Sequence, residues 1–162
     1  MPTRPRRHLP VRRDEMEPRI HTITLAVEDL ERALVFCRDG LGLESDGVVG
    51  AEFHDDVSGA GGAIAMFRLA GGLVLSLYPR TELAKDAGIP HAPPTSGEVS
   101  LGHFLGSRDE VDRLVEHIGR AGGTPLEKPR DRPWGIYSGY VQDPDGHLWE
   151  IMHSPLVDPN AS

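Results

Sequence analysis

Residues 21–44 read HTITLAVEDLERALVFCRDGLGLE, and this stretch decides the fold. Between Ile20 and Val27, Ile23, Leu25 and Val27 alternate with Thr22, Thr24 and Ala26, the period of a strand with one buried face. Asp29 suits a helix N-cap, Leu30, Ala33, Leu34 and Cys37 follow at helical spacing, and Gly40 and Gly42 stop the helix. Three short strands are expected next, around Ala51–His54, Ala63–Leu69 and Leu73–Tyr78, the last two joined at Ala70-Gly71-Gly72 as a hairpin.

The same order returns further along. Val99–Leu105 reads as a strand, and Ser107-x-x-Glu110 is a capping box opening a helix with Val111, Leu114, Val115 and Ile118 on its apolar face. Gly122-Gly123 closes that helix, and strands follow around Thr124–Leu126, Ile136–Val141 and His147–His153, with Asp143-Pro144-Asp145-Gly146 as the turn before the last. Matching Val27 to Leu105 gives an offset of 78, and matching Ser76 to Glu150 gives 74. The expected fold is therefore α+β, a βαβββ module written twice. Its parts are a basic arm (1–17), a first module (18–80), a linker (81–97) containing the Pro-rich GIPHAPPTSG, a second module (98–155) and a tail (156–162).

Composition narrows the function. The 162 residues carry 17 Lys and Arg against 25 Asp and Glu, a net −8. Five arginines against Asp14 and Glu15 give residues 1–15 a charge of +3, so the other 147 residues stand at −8 − 3 = −11. A body this acidic is unsuited to a phosphate backbone, so no nucleic-acid partner is expected. Cys37 is the one cysteine, which excludes an intrachain disulfide and a cysteine-based zinc site and fits a reducing cytoplasm. No run approaches the roughly 18 apolar residues of a membrane span, so no membrane partner is expected. The arm MPTRPRRHLPVRRDE has no apolar stretch behind its Arg pairs; it reads as disordered rather than as a signal, with Met16 as an alternative start.

Each module offers one helix to cover one sheet face. The covered face takes Ile23, Leu25, Val27, Leu75, Leu77, Leu101, Trp149 and Ile151, so a ligand belongs on the other face. Together with HTITLAVEDLERALVFCRDGLGLE, the run QDPDGHLWEI and the paired modules resemble the vicinal oxygen chelate superfamily, which includes glyoxalase I, bleomycin resistance proteins and extradiol dioxygenases. The resemblance covers roughly Arg19 to Pro155. It implies a cup-shaped mixed sheet, a homodimer, and in metal-using members a His or Gln from each first strand with a Glu from each last strand.

Carried over residue by residue, those ligand positions fall on Thr22, Ser100, Ser76 and Glu150. Neutral hydroxyls are poor ligands for Mn²⁺, Fe²⁺, Ni²⁺ or Zn²⁺. No metal or other cofactor is expected, and the alternative is a displaced divalent site built from Glu150, His21 and His103. Glu150, between Leu148 and Met152, is the candidate catalytic base or ligand anchor. The alternative to a functional role is an internal hydrogen bond to Ser76, Ser100 or Thr22, or a salt bridge to Arg68. The candidate ligand-binding residues are Thr22, Thr24, Arg68, Ser76, Tyr78, Ser100, Phe104, Trp134, Tyr140 and Met152. Three readings follow: metal-independent sequestration of a small molecule, with a cationic one favoured by the acidic body; a lyase, isomerase or oxygenase with a displaced metal or Glu150 as base; and a module whose open sheet face packs on a protein partner.

Overall fold

The computed structural model describes residues 16–161, so the basic arm up to Glu15 lies outside the described residues, as does Ser162. The first module runs β1 (Thr22–Val27), α1 (Leu30–Val35), β2 (Val48–Val49), β3 (Ile64–Arg68) and β4 (Val74–Pro79). Helix α2 (Arg80–Ala87) follows, and then the second module: β5 (Ser100–Phe104), α3 (Arg108–Arg120), β6 (Thr124–Pro125), β7 (Arg130–Asp131), β8 (Tyr137–Gln142) and β9 (Leu148–His153). The fold is α+β, two βαβββ modules with a mixed sheet each, the edge strand of the second being split into β6 and β7, which both pair with β8. The first sheet has the order β1-β4-β3-β2; the second has β5-β9-β8-β6, with β7 also on β8. In both, the first and last strands pair in parallel and the remaining ladders are antiparallel.

The caps form as their residues dictate. Asp29 accepts the Arg32 amide at 3.0 Å, and Ser107 accepts the Glu110 amide at 3.2 Å. The first helix ends in a five-residue π turn, Phe36–Gly40. At Gly71 and Gly72 the chain takes φ of 75° and 83°, where a Cβ is disfavoured, and the hairpin between β3 and β4 turns there.

Two expectations need correction. Ala51–His54 is not a strand: the strand of that region is Val48–Val49, between Gly47 and Gly50 at positive φ, and His54 only bridges to Gly61. The segment read as linker begins with helix α2, closed by Gly88 at φ 68°, with the Ile89 amide on the Ala84 carbonyl at 3.0 Å.

One apolar core serves both modules. Val27, Phe67, Leu75 and Leu77 of the first join Val111, Val141 and Ile151 of the second, with Phe36 and Ile118 at the junction. Polar contacts pin the same junction. Asp145 accepts the Glu28 amide at 2.9 Å and Arg32 Nη2 at 3.3 Å, and His117 Nε2 donates to the Gly40 carbonyl at 2.5 Å. Among the described residues no strand pairing joins the two sheets.

Candidate functional site

Strand register locates the site. In the first sheet Ser76 stands opposite Thr24 on one side and Met66 on the other; in the second, Glu150 stands opposite Gly102 and Tyr140. Thr24 to Gly102 is 78 positions, and Ser76 to Glu150 and Met66 to Tyr140 are 74 each. These are the offsets of the repeated sequence pattern. All six residues lie on the faces turned away from the shared core, since their neighbours Leu25, Leu75, Leu77 and Ile151 are the buried ones.

Glu150 is half-buried on β9, and one of its oxygens is held. Ser138, fully buried on β8, donates its hydroxyl to Glu150 Oε1 at 2.8 Å and accepts Arg132 Nε at 2.6 Å. Arg132 also donates to the Ser138 carbonyl at 3.3 Å, pairs with Glu127, and lies 5.1 Å from the centre of the Tyr140 ring. Its side chain is only 15% exposed, so it is a fixed cation. The same contact holds the Glu127 carboxyl below its ordinary range. Burial and the neighbouring Glu150 charge raise the Tyr140 phenol, which stays protonated at neutral pH as a donor beside the carboxylate. Ser138 fixes Glu150 Oε1, and the Tyr140 hydroxyl stands within reach of the same carboxylate. The internal partner that Glu150 uses is Ser138, not Ser76, Ser100, Thr22 or Arg68, the alternatives that the sequence offered.

The remaining candidates divide between the two sheets. Thr22 and Thr24 are exposed on β1, and Ser76 is buried on β4. Arg68 is 88% exposed and 3.9 Å from Asp46; with Glu44, Asp46, Met66 and Val74 it lines a groove of about 380 Å³ on the open side of the first sheet. Tyr78 is a strut rather than a free binding group, its hydroxyl donating to the Gly61 carbonyl at 2.6 Å. Ser100 is exposed at the start of β5 and Phe104 is half-buried at its end, both beside β9. Met152 packs where Gly102 has no side chain: a Cβ there would lie 2.5 Å from the Met152 methyl. Trp134 is 85% exposed at the turn between β7 and β8 and is the only non-glycine among the described residues with positive φ, 66°.

Arg132, Ser138 and Glu127 were missed at the level of sequence. The available signal was parity: Ser138 and Tyr140 alternate on β8 and so share the open face with Glu150.

The metal positions implied by the resemblance do not suit a divalent ion. Thr22, Ser76 and Ser100 offer hydroxyls, and the one carboxylate commits an oxygen to Ser138. Nor does the chain assemble the displaced set. His103 lines a cavity on the helix-covered side of the second sheet while Glu150 points to the other side, and His21 is exposed ahead of β1. Among the described residues no three His, Cys, Asp or Glu side chains gather to hold a metal. Cys37 is buried and its thiol is pushed up to about 12, by burial first and then by the charges of Asp143 and Asp145. No described helix is long and apolar enough to cross a membrane.

Known structures repeat this architecture. A glyoxalase-related enzyme from Fulvimarina pelagi is 29% identical, with a TM-score of 0.72 over 90% of this chain and 96% of that one. A lactoylglutathione lyase from Agrobacterium tumefaciens is 26% identical, with a TM-score of 0.58 over 87% and 97%. A fosfomycin resistance protein from Listeria monocytogenes shares the fold at 22% identity, with a TM-score of 0.61 over 87% and 97%. No curated protein matches. With residues 19–151 matched by the family's sequence model, the chain belongs to the glyoxalase/bleomycin resistance protein/dioxygenase superfamily.

Proposed function

We propose that this protein binds a small molecule without a metal, in the manner of an antibiotic-sequestering member of the superfamily. The observation that carries this reading is Glu150: one oxygen is fixed by Ser138, the Tyr140 hydroxyl stands beside the carboxylate, and among the described residues no group of three His, Cys, Asp or Glu side chains gathers as a metal site. The half-buried carboxylate suits a ligand that donates a hydrogen bond or carries a positive charge, in keeping with a net charge of −8. On this reading a homodimer supplies the facing wall of the open face: a cup between chains. The lone, buried Cys37 fits residence in the cytoplasm.

A thermal-shift screen of cationic and amphipathic compounds tests this reading. Glu150→Gln is expected to weaken a hit by about 10- to 100-fold, the worth of a charged hydrogen bond. An unchanged affinity overturns the anchor. After reconstitution with Mn²⁺, Fe²⁺, Ni²⁺ or Zn²⁺ the protein is expected to retain none stoichiometrically; one ion per site, lost in Glu150→Ala, overturns metal independence.

A second reading is favoured by the same geometry. A carboxylate oriented through Ser138, beside a protonated Tyr140, is arranged as a general base next to an acid, which suits a lyase or isomerase. Turnover lost in Glu150→Gln by roughly 10²- to 10⁴-fold while the ligand still binds marks the enzyme; binding without turnover marks sequestration.

A further inference from the structure

Between the modules, on the side of the second sheet opposite Glu150, lies a cavity of about 110 Å³. Phe36, Leu41 and Leu43 wall it from the first module, and Ile118, Trp149 and Ile151 from the second. We propose that this cavity is a second ligand site, taking a small neutral apolar molecule of about the size of one aromatic ring. It is independent of the open-face site and of the function proposed for it.

The lining chemistry selects the ligand. Asp143 borders the cavity, but its carboxylate is occupied. Oδ1 accepts the amides of Asp145 at 3.0 Å and His147 at 2.9 Å, and Oδ2 accepts His147 Nδ1 at 2.9 Å and Trp149 Nε1 at 3.2 Å. A charged ligand would give up its hydration and find no partner inside. His103 also borders the cavity; it is exposed and has no hydrogen bond among the described residues, so it tolerates one polar tip at the mouth. The walls are otherwise aliphatic and aromatic. An enclosed apolar cavity of roughly 150 Å³ takes up benzene or xenon, and this one, open at the His103 mouth, has a similar lining: empty space denies its walls the dispersion contacts that a ligand restores. Since both modules supply the walls, an occupant bridges the junction and stabilises the chain as a whole.

Toluene is the probe. The chain has two tryptophans, so in a Trp134→Phe background Trp149 is the sole indole and reports on the cavity it lines. Toluene is expected to change Trp149 emission saturably and, at ten times its Kd, to raise Tm by about 4 °C. Ile118→Phe fills the space and is expected to weaken both responses at least tenfold; Leu114→Phe serves if that variant does not fold. Benzoate, a charged ring of similar size, is expected to bind at least tenfold more weakly. Glu150→Gln leaves the toluene response as it was, which separates this site from the open face. Emission that falls without saturating, an undiminished response in the filled variant, or benzoate binding as tightly as toluene overturns the proposal.

Discussion

The two modules share a backbone plan and differ in what they place on it. At corresponding positions the first carries Thr24, Met66 and Ser76, and the second carries Gly102, Tyr140 and Glu150. Their covered faces are alike, each apolar and each packed on its own helix, as a close-packed shared core requires. The open faces differ. The first is a groove edged by Glu44, Asp46 and Arg68, all exposed; the second carries a hydrogen-bonded chain from Glu127 through Arg132 and Ser138 to Glu150. Scaffold and chemistry are thus separable here: either module would fold a strand at these positions, and only the second equips it with a charged network.

The shared core sets a limit to that independence. Phe67 is fully buried in the first sheet, in the cluster that contains Ile151 and Val111 of the second. Phe67→Ala is expected to cost about 3–5 kcal/mol, the usual penalty for emptying a buried aromatic. The informative readout is where the loss is felt. Circular dichroism reports on the whole chain, and Trp149 emission on the second module. The two melts are expected to fall together, by about 10 °C. A melt in which Trp149 keeps its original transition would show two independently folding halves.

The two corresponding turns contribute unequally to the junction. The turn before β9 presents Asp145, whose nearly buried carboxylate accepts Glu28 N–H and Arg32 of the other module, whereas the corresponding turn before β4 is Ala70-Gly71-Gly72 and carries no side chain that could reach across. Asp145→Ala is expected to lower stability by about 1–2 kcal/mol, or roughly 4 °C in a thermal melt. Ala70→Asp, placing a carboxylate on the first module's turn, is not expected to stabilise.

Much of this was legible in the residues themselves. Alternation at Ile23, Leu25 and Val27 named the covered face, and the offsets of 78 and 74 reappear in the strand register because pairing follows that alternation. Glu150 stood out as a ligand position implied by the family resemblance and as a carboxylate between Leu148 and Met152. Helix α2 was not legible: Pro79 at its N-cap makes no side-chain hydrogen bond, and RTELAKDA offers only Leu83 and alanines as an apolar stripe, too few to signal a helix. Arg132 escaped for a different reason. Its reach to Ser138 depends on the hairpin that Trp134 turns with a left-handed backbone, a conformation an aromatic residue does not advertise.

The two turns differ in titration as well. His147 follows the Asp143-Gly146 turn and binds Asp143, which holds its imidazole above the ordinary histidine range against the opposing effects of burial and of Arg80. A group whose pKa is higher folded than unfolded stabilises fully below its unfolded value, near 6.5, and that contribution is lost as pH rises through the folded value. Stability is therefore expected to decline from about pH 6.5 upward, and His147→Gln to flatten that slope. A chemical-denaturation series across pH checks it. A slope that survives in His147→Gln would have to come from another group, and Ala70-Gly71-Gly72, having none, supplies no counterpart in the first module.

The smallest effect is expected where the modules look most alike on paper, each with an arginine near its open face. Arg68 faces Asp46 at 3.9 Å with both side chains more than four-fifths exposed, while Arg132 is held at three acceptors and largely buried. Ion pairs in water contribute little, because solvent screens the attraction and two long side chains lose freedom to make it. Arg68→Ala is expected to leave Tm within about 1 °C of the parent. Arg132→Ala frees Ser138, and with it the orientation of Glu150, so it is expected to weaken a ligand of the second face even where the fold survives. Measured side by side against one ligand, the two variants distinguish a cup that uses both faces from one that reads only the second. An affinity lost equally in both would mean that the exposed groove of the first module contributes as directly as the Glu150 network does.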